Sequence, residues 1–146
     1  MKNVMFLGRF TYNVDQKGRL AVPARFRESL AGTVILTRGI DPCLVLYPLE
    51  SWEPLAAKVD ALPLADPDAR AFRRLMYAEA ANLELDSQGR ILLPPELRGW
   101  AGIEREAVVV GVNTSIEIWS QAGWQAQQSA MEEQSDDFAS RFTGLI

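Results

Sequence analysis

The sequence predicts an α+β chain in which two pseudo-symmetric halves interlock into one β-barrel core with helices outside it. Three observations lead there. The stretch Asp15-Gln16-Lys17-Gly18-Arg19 recurs as Asp86-Ser87-Gln88-Gly89-Arg90. Adding 71 to the first copy's numbers carries Asp15 to Asp86, Gly18 to Gly89, Arg19 to Arg90, Pro23 to Pro94 and Arg27 to Arg98. Each copy lies between apolar runs, Tyr12-Asn13-Val14 and Leu20-Ala21-Val22 around the first, Leu83-Glu84-Leu85 and Ile91-Leu92-Leu93 around the second. A repeat of this kind outranks any single motif. Finally, one half amounts to about 50 residues before its trailing helices, too few for an independent core. Two halves that bury each other's apolar faces solve that problem.

The elements follow from local chemistry. Asp bonds the backbone just ahead of it and starts a turn, and Gly takes the positive φ that other residues resist. Each repeat therefore reads as strand, turn, strand. In the first half the strands are 5–14 and Arg19–Val22, and Pro23 opens a short helix, Ala24–Leu30, that ends at Ala31-Gly32. Thr33–Thr37 is rich in β-branched residues and reads as a strand, with Cys43–Tyr47 returning after the turn Gly39-Ile40-Asp41-Pro42. Ser51 is a plausible helix cap, and Trp52, Leu55, Val59 and Leu62 fall on one helical face. A break at 63–67 precedes a second helix, Asp68–Ala78, with Phe72, Leu75 and Met76 on one side and Arg70, Arg73 and Arg74 mostly on another. Arg73-Arg74 reads as a solvated face or a subunit salt bridge before it reads as a phosphate contact.

The second half repeats this plan. Asn82–Leu85 and Arg90–Leu93 flank the turn, a helix runs from Pro94-Pro95 to Gly99-Trp100, and strands Ala107–Val110 and Ile116–Trp119 follow. Here the offset becomes 72, so that Gly39 matches Gly111, Tyr47 matches Trp119 and Trp52 matches Trp124. Ser120 or Gln121 starts a last helix, about Ala122 to Glu133, and the acidic tail from Ser135 is expected to fray. The expected organisation is a first module 5–50, connecting helices 51–80, a second module 81–124, and a C-terminal helix and tail 125–146.

Composition narrows function. There is no histidine and a single cysteine, Cys43, so the commonest general base is missing and neither a zinc site nor a disulfide framework is expected. No apolar run reaches the length of a membrane span, and the cysteine usage fits the cytosol. Net charge is −4, unevenly spread. Residues 1–40 hold seven Lys and Arg against Asp15 and Glu28, giving +5, while residues 75–146 hold four Arg against eleven acids, giving −7. That asymmetry fits a basic face that meets an anion and an acidic remainder held away from it; ordinary surface variation is the plain alternative.

Several runs carry a resemblance. Met5-Phe6-Leu7-Gly8, Asp15-Gln16-Lys17-Gly18-Arg19-Leu20, Val22-Pro23-Ala24-Arg25-Phe26-Arg27, Asp86-Ser87-Gln88-Gly89-Arg90, Leu93-Pro94-Pro95-Glu96-Leu97-Arg98, Gly111-Val112-Asn113 and Ile116-Glu117-Ile118-Trp119 are similar to the MraZ family over about residues 5–125. The resemblance implies two swapped-hairpin AbrB-like modules. It also implies a bacterial transcription regulator of the division and cell-wall gene cluster that is cytoplasmic, nucleoid-associated and assembled into closed rings. Such a protein binds repeated boxes in double-stranded DNA upstream of its own gene. Met1–Val4 extends beyond the family's usual start near Met5.

On this reading Lys17, Arg19, Arg25 and Arg27 contact DNA, because guanidinium reads guanine with two hydrogen bonds and Lys serves phosphate as a point charge. Arg9 joins them, two positions past Leu7, where some relatives carry a basic residue. Asp15, Gly18, Asp86, Gly89 and Arg90 are structural turn residues. The second copy has Ser87, Gln88 and Glu96 where the first has Gln16, Lys17 and Arg25, so DNA contact falls to the first copy. No cofactor, metal or catalytic residue is expected. An enzyme built on an Asp15–Asp86 dyad is disfavoured because each Asp is followed by its own Arg, which favours ionised, paired carboxylates. A non-catalytic assembly module, or an AbrB-like antitoxin, remains the alternative; the doubled motif argues against the antitoxin.

Overall fold

The computed structural model describes residues 5–146. The extension Met1–Val4 lies outside the described residues. Among the described residues eight strands and six α-helices follow one another: β1 Phe6–Asn13, β2 Arg19–Ala21, α1 Ala24–Arg27, β3 Thr33–Arg38, β4 Leu44–Pro48, α2 Leu49–Asp60 and α3 Pro67–Ala78 in the first half. In the second half come β5 Ala81–Glu84, β6 Arg90–Leu92, α4 Pro95–Trp100, β7 Glu106–Asn113, β8 Ile116–Ser120, α5 Gln121–Glu133 and α6 Ser135–Phe142.

The strands interlock across the halves. Six form one antiparallel sheet in the order β1-β7-β8-β4-β3-β5, and β2 pairs with β6 in a separate ladder. Exchanging each strand for its repeat partner turns the six-strand order into its own reverse, which is the pseudo-twofold the repeat predicted. The leading strand of each half pairs with the other half: β1 with β7 from Phe6↔Asn113 to Asn13↔Glu106, and β5 with β3 from Thr33↔Glu84 to Leu36↔Ala81. The expected closed barrel is not found. No ladder joins the edge strands β1 and β5 among the described residues, and the β2–β6 pair spans that side through the two turns.

One core lies between the two ladders. It draws Phe6, Leu20, Phe26, Leu36 and Leu46 from the first half and Ile91, Leu97, Ala107, Ile116 and Ile118 from the second. Leu20 and Ile91 face each other across the β2–β6 ladder and are both fully buried. Each such side chain contributes about 1.5–3 kcal/mol by leaving water, so neither half's strands can keep their core without the other's. A smaller cluster of Cys43, Val45, Val108 and Trp119 forms on the opposite face of the sheet, with Tyr47, Val110 and Trp124 packed against it.

Three local expectations shift. The first helix keeps its extent but tightens to 3₁₀ geometry over Glu28–Leu30, which still buries Phe26 and Leu30. Ser51 is not a cap: α2 begins two residues earlier, with Pro48 at the N-cap. In the second half Ser120 caps α5, its Oγ accepting from the Gly123 N–H at 2.9 Å, and Pro48 is the residue 72 positions before it. The tail, expected to fray, is helical. It folds as α6, with Asp136 and Asp137 in the first turn, where the helix dipole favours acids, and Phe138 against Phe142 one turn on.

Candidate nucleic-acid interface

Each repeat turn is built by its aspartate. Asp15 Oδ1 accepts the backbone N–H groups of Lys17 and Arg19, both at 2.9 Å, and Oδ2 accepts Arg19 Nε at 2.7 Å. Asp86 makes the same three bonds to Gln88 N, Arg90 N and Arg90 Nε, all at 2.9 Å. Gly18 and Gly89 close the turns at φ +85° and +75°, conformations that disfavour a Cβ. The two turns are stitched to the opposite half: Gly18 O accepts Leu93 N at 2.9 Å and Gly89 O accepts Val22 N at 3.0 Å. Arg90 also reaches Asp15 across the pseudo-twofold at 3.7 Å.

These bonds hold the carboxylates ionised. The Arg19 backbone N–H is the main cause at Asp15, whose pKa falls to about 2 against burial that opposes it. Asp86 is lowered for the same reason by the Arg90 N–H. Two ionised, fully hydrogen-bonded aspartates are the opposite of a dyad sharing one proton.

The cations predicted to meet DNA divide into two groups. Lys17 is exposed at the tip of the first turn, and among the described residues no carboxylate pairs with its ammonium. Arg25 is exposed on α1 with its guanidinium 5.6 Å from the Phe10 ring centre. The others are partly committed to the fold. Arg19 is tied to Asp15 through Nε. Arg9 lies on β1, 5.9 Å from the Trp124 ring. Arg27 donates Nε to Val22 O at 3.0 Å and packs on Gly89.

The last contact puts Arg27 of the first half at the turn of the second. The equivalent place at the first turn is taken by Arg98, the residue 71 positions after Arg27. Its Nη1 approaches Gly18, Nε donates to Ile103 O at 2.9 Å and Nη2 to Glu104 O. Sequence reasoning left Arg98 out of the site, although the repeat offset already paired it with Arg27. Arg73, on α3, is anchored to the end of α2, donating to Asp60 O at 3.1 Å and lying 3.6 Å from the Asp60 carboxylate.

The family model described as "MraZ protein, putative antitoxin-like" matches twice, over residues 5–75 and 76–145. The chain belongs to the MraZ family. Its match to "Transcriptional regulator MraZ" of Thermomicrobium roseum is 60% identical over 142 residues, covering 97% of this chain and all of the relative. Proteins of the same name from Herpetosiphon aurantiacus and Desulfitobacterium hafniense are 50% and 49% identical, over 92% and 97% of this chain and 94% and 97% of theirs. The two matches divide the chain near the end of α3, so each MraZ repeat comprises one strand set and its trailing helices.

Proposed function

We propose that this MraZ chain is a sequence-specific DNA-binding transcription regulator that acts through the first repeat turn. The name carried by its full-length relatives supports the class, and the exposed, unpaired Lys17 on a rigid turn supports the site. A loop fixed by an aspartate, a glycine and a cross-half hydrogen bond presents its cation with little ordering cost at the moment of binding. Lys17 serves phosphate, Arg25 adds a second exposed charge, and Arg19 keeps its guanidinium edge beyond Nε for a base or phosphate. Arg27 and Arg98 brace the turns, and Arg9 lies apart on β1. The targets are repeated boxes upstream of its own gene in the division and cell-wall cluster, in the cytoplasm at the nucleoid.

The chain is divided as 5–50, 51–80, 81–124 and 125–146, with the first and third segments being AbrB-like modules. One turn with few cations binds weakly, so copies assemble into a ring that engages several boxes at once. Binding to promoter DNA measured by anisotropy over a salt series tests the reading. Lys17→Ala is expected to weaken binding and reduce the slope of log K against log salt by about 1 for each turn engaged. An unchanged affinity and slope removes Lys17 from the interface.

A further inference from the structure

The short β2–β6 ladder has two faces, and the core uses one of them. The strands pair antiparallel as Arg19↔Leu92, Leu20↔Ile91 and Ala21↔Arg90. Side chains alternate across a strand, and the middle pair, Leu20 and Ile91, is the one buried in the core. Arg19, Ala21, Arg90 and Leu92 therefore share the outward face. The arginine side chains there are 32% and 24% exposed. Leu92 is 55% exposed, although its side chain is wholly aliphatic.

This face continues the first turn. Arg19 leaves that turn directly, with Nε held by Asp15, and Leu92 Cδ1 lies 3.8 Å from where a Cβ on Gly18 would sit. The residue 71 positions before Leu92 is Ala21, so the second turn has no large apolar side chain in the equivalent place beside Arg90. A two-stranded ladder is one of the shapes that the major groove of DNA admits, and the apolar group it meets there is the thymine 5-methyl. Cα partners across an antiparallel pair stand about 5 Å apart, and stacked base pairs about 3.4 Å apart. Arg19 and Leu92 can thus reach the same base pair or neighbouring ones.

We propose that the outward face of the β2–β6 ladder enters the major groove and that Leu92 is a specificity-determining residue, packing on the methyl group of a thymine beside the base that Arg19 meets. The contact brings a residue of the second half into an interface that the sequence assigned to the first copy of the motif. It also accounts for an exposed leucine on a face whose other long side chains are cationic. This rests on the DNA-binding reading above and adds the base that the face selects.

Deoxyuridine isolates the group concerned, because it differs from thymidine by that methyl alone. Double-stranded probes carrying the boxes upstream of the gene are made with each thymine replaced in turn, and binding is read by anisotropy. At one or more thymines in a box, replacement is expected to weaken the unsubstituted chain about fourfold per contact, the worth of one methyl removed from water. Leu92→Ala is expected to bind the thymine probe about as weakly and to be indifferent to the same replacement. Should Leu92→Ala lose its fold by circular dichroism, Leu92→Ser takes its place with the same expectation. Binding that is insensitive to every replacement overturns the Leu92 contact, and so does a sensitivity that survives in the Leu92 variant. If Lys17→Ala still weakens binding in either case, the first-turn reading stands without it. An unsubstituted chain that fails to bind the thymine probe overturns both.

Discussion

At the scale of single residues, the two turns look alike and differ in what stands over them. A Cβ added to Gly18 would meet Arg98 Nη1 at 3.6 Å, an ordinary contact, whereas one added to Gly89 would overlap the Arg27 guanidinium. Both alanines bear the left-handed cost of about 1–2 kcal/mol. Gly89→Ala should therefore destabilise more than Gly18→Ala, and urea unfolding of the pair reads the excess. The aspartates set the acid limit of the same turns. Because the folded pKa of Asp15 is depressed from 3.8 to about 2, its contribution to stability is complete above the unfolded value and is lost as pH falls through the folded one. Unfolding midpoints of the unsubstituted chain should drop between about pH 4 and about pH 2, and Asp15→Asn should flatten that drop. The turn and the Asp–Arg pairing behind this pKa were readable in sequence, since each Asp precedes a Gly at the third place and an Arg at the fourth. The neighbour of each turn was not readable, because it arrives from the other half of the chain.

Elements were legible where chemistry is local. Except for α6, formed where a frayed tail is expected, strands and helices appear where periodicity and turn residues put them, and the helix starts at α2 and α5 were misread or left open because Ser51 resembles a cap as well as Ser120 does. What separates them is the strand register before the helix, which carries Pro48 to the position that Ser120 occupies. Packing between elements depends on bonds that no spacing announces. Thr37, 2% exposed, donates its hydroxyl to the Met76 carbonyl near the end of α3, where helical carbonyls lack partners of their own. Thr37→Val keeps the shape and orphans that carbonyl, so it should cost about 1–3 kcal/mol. Hydrogen exchange should locate the loss in α3 and β3 rather than in the repeat turns; uniform loss of protection would contradict the assignment.

For the whole molecule, the exchange of strands between halves is the property on which the rest depends. It was anticipated from the size of one half, and the barrel expected from it proved to be an open six-strand sheet with a two-strand ladder beside it. The difference lies in the pairing: β2 and β6, three residues each, bond to each other, and among the described residues no ladder joins either to the edges β1 and β5. In a lone first half, β1 would lose β7, β3 would lose β5 and β2 would lose β6. Buried Leu20 and Phe6 would then face water. A chain cut between Glu79 and Ala80 should accordingly give two fragments that have no folded monomeric state. Each is expected to be unfolded, or to dimerise by using a second copy of itself in place of the missing half. Mixed in equal amounts, they should recover one cooperative unfolding transition at the mass of a single full chain. Sedimentation of each fragment decides it: a compact, cooperatively unfolding monomer of either half would mean that the cross-half ladders are not what holds the core together.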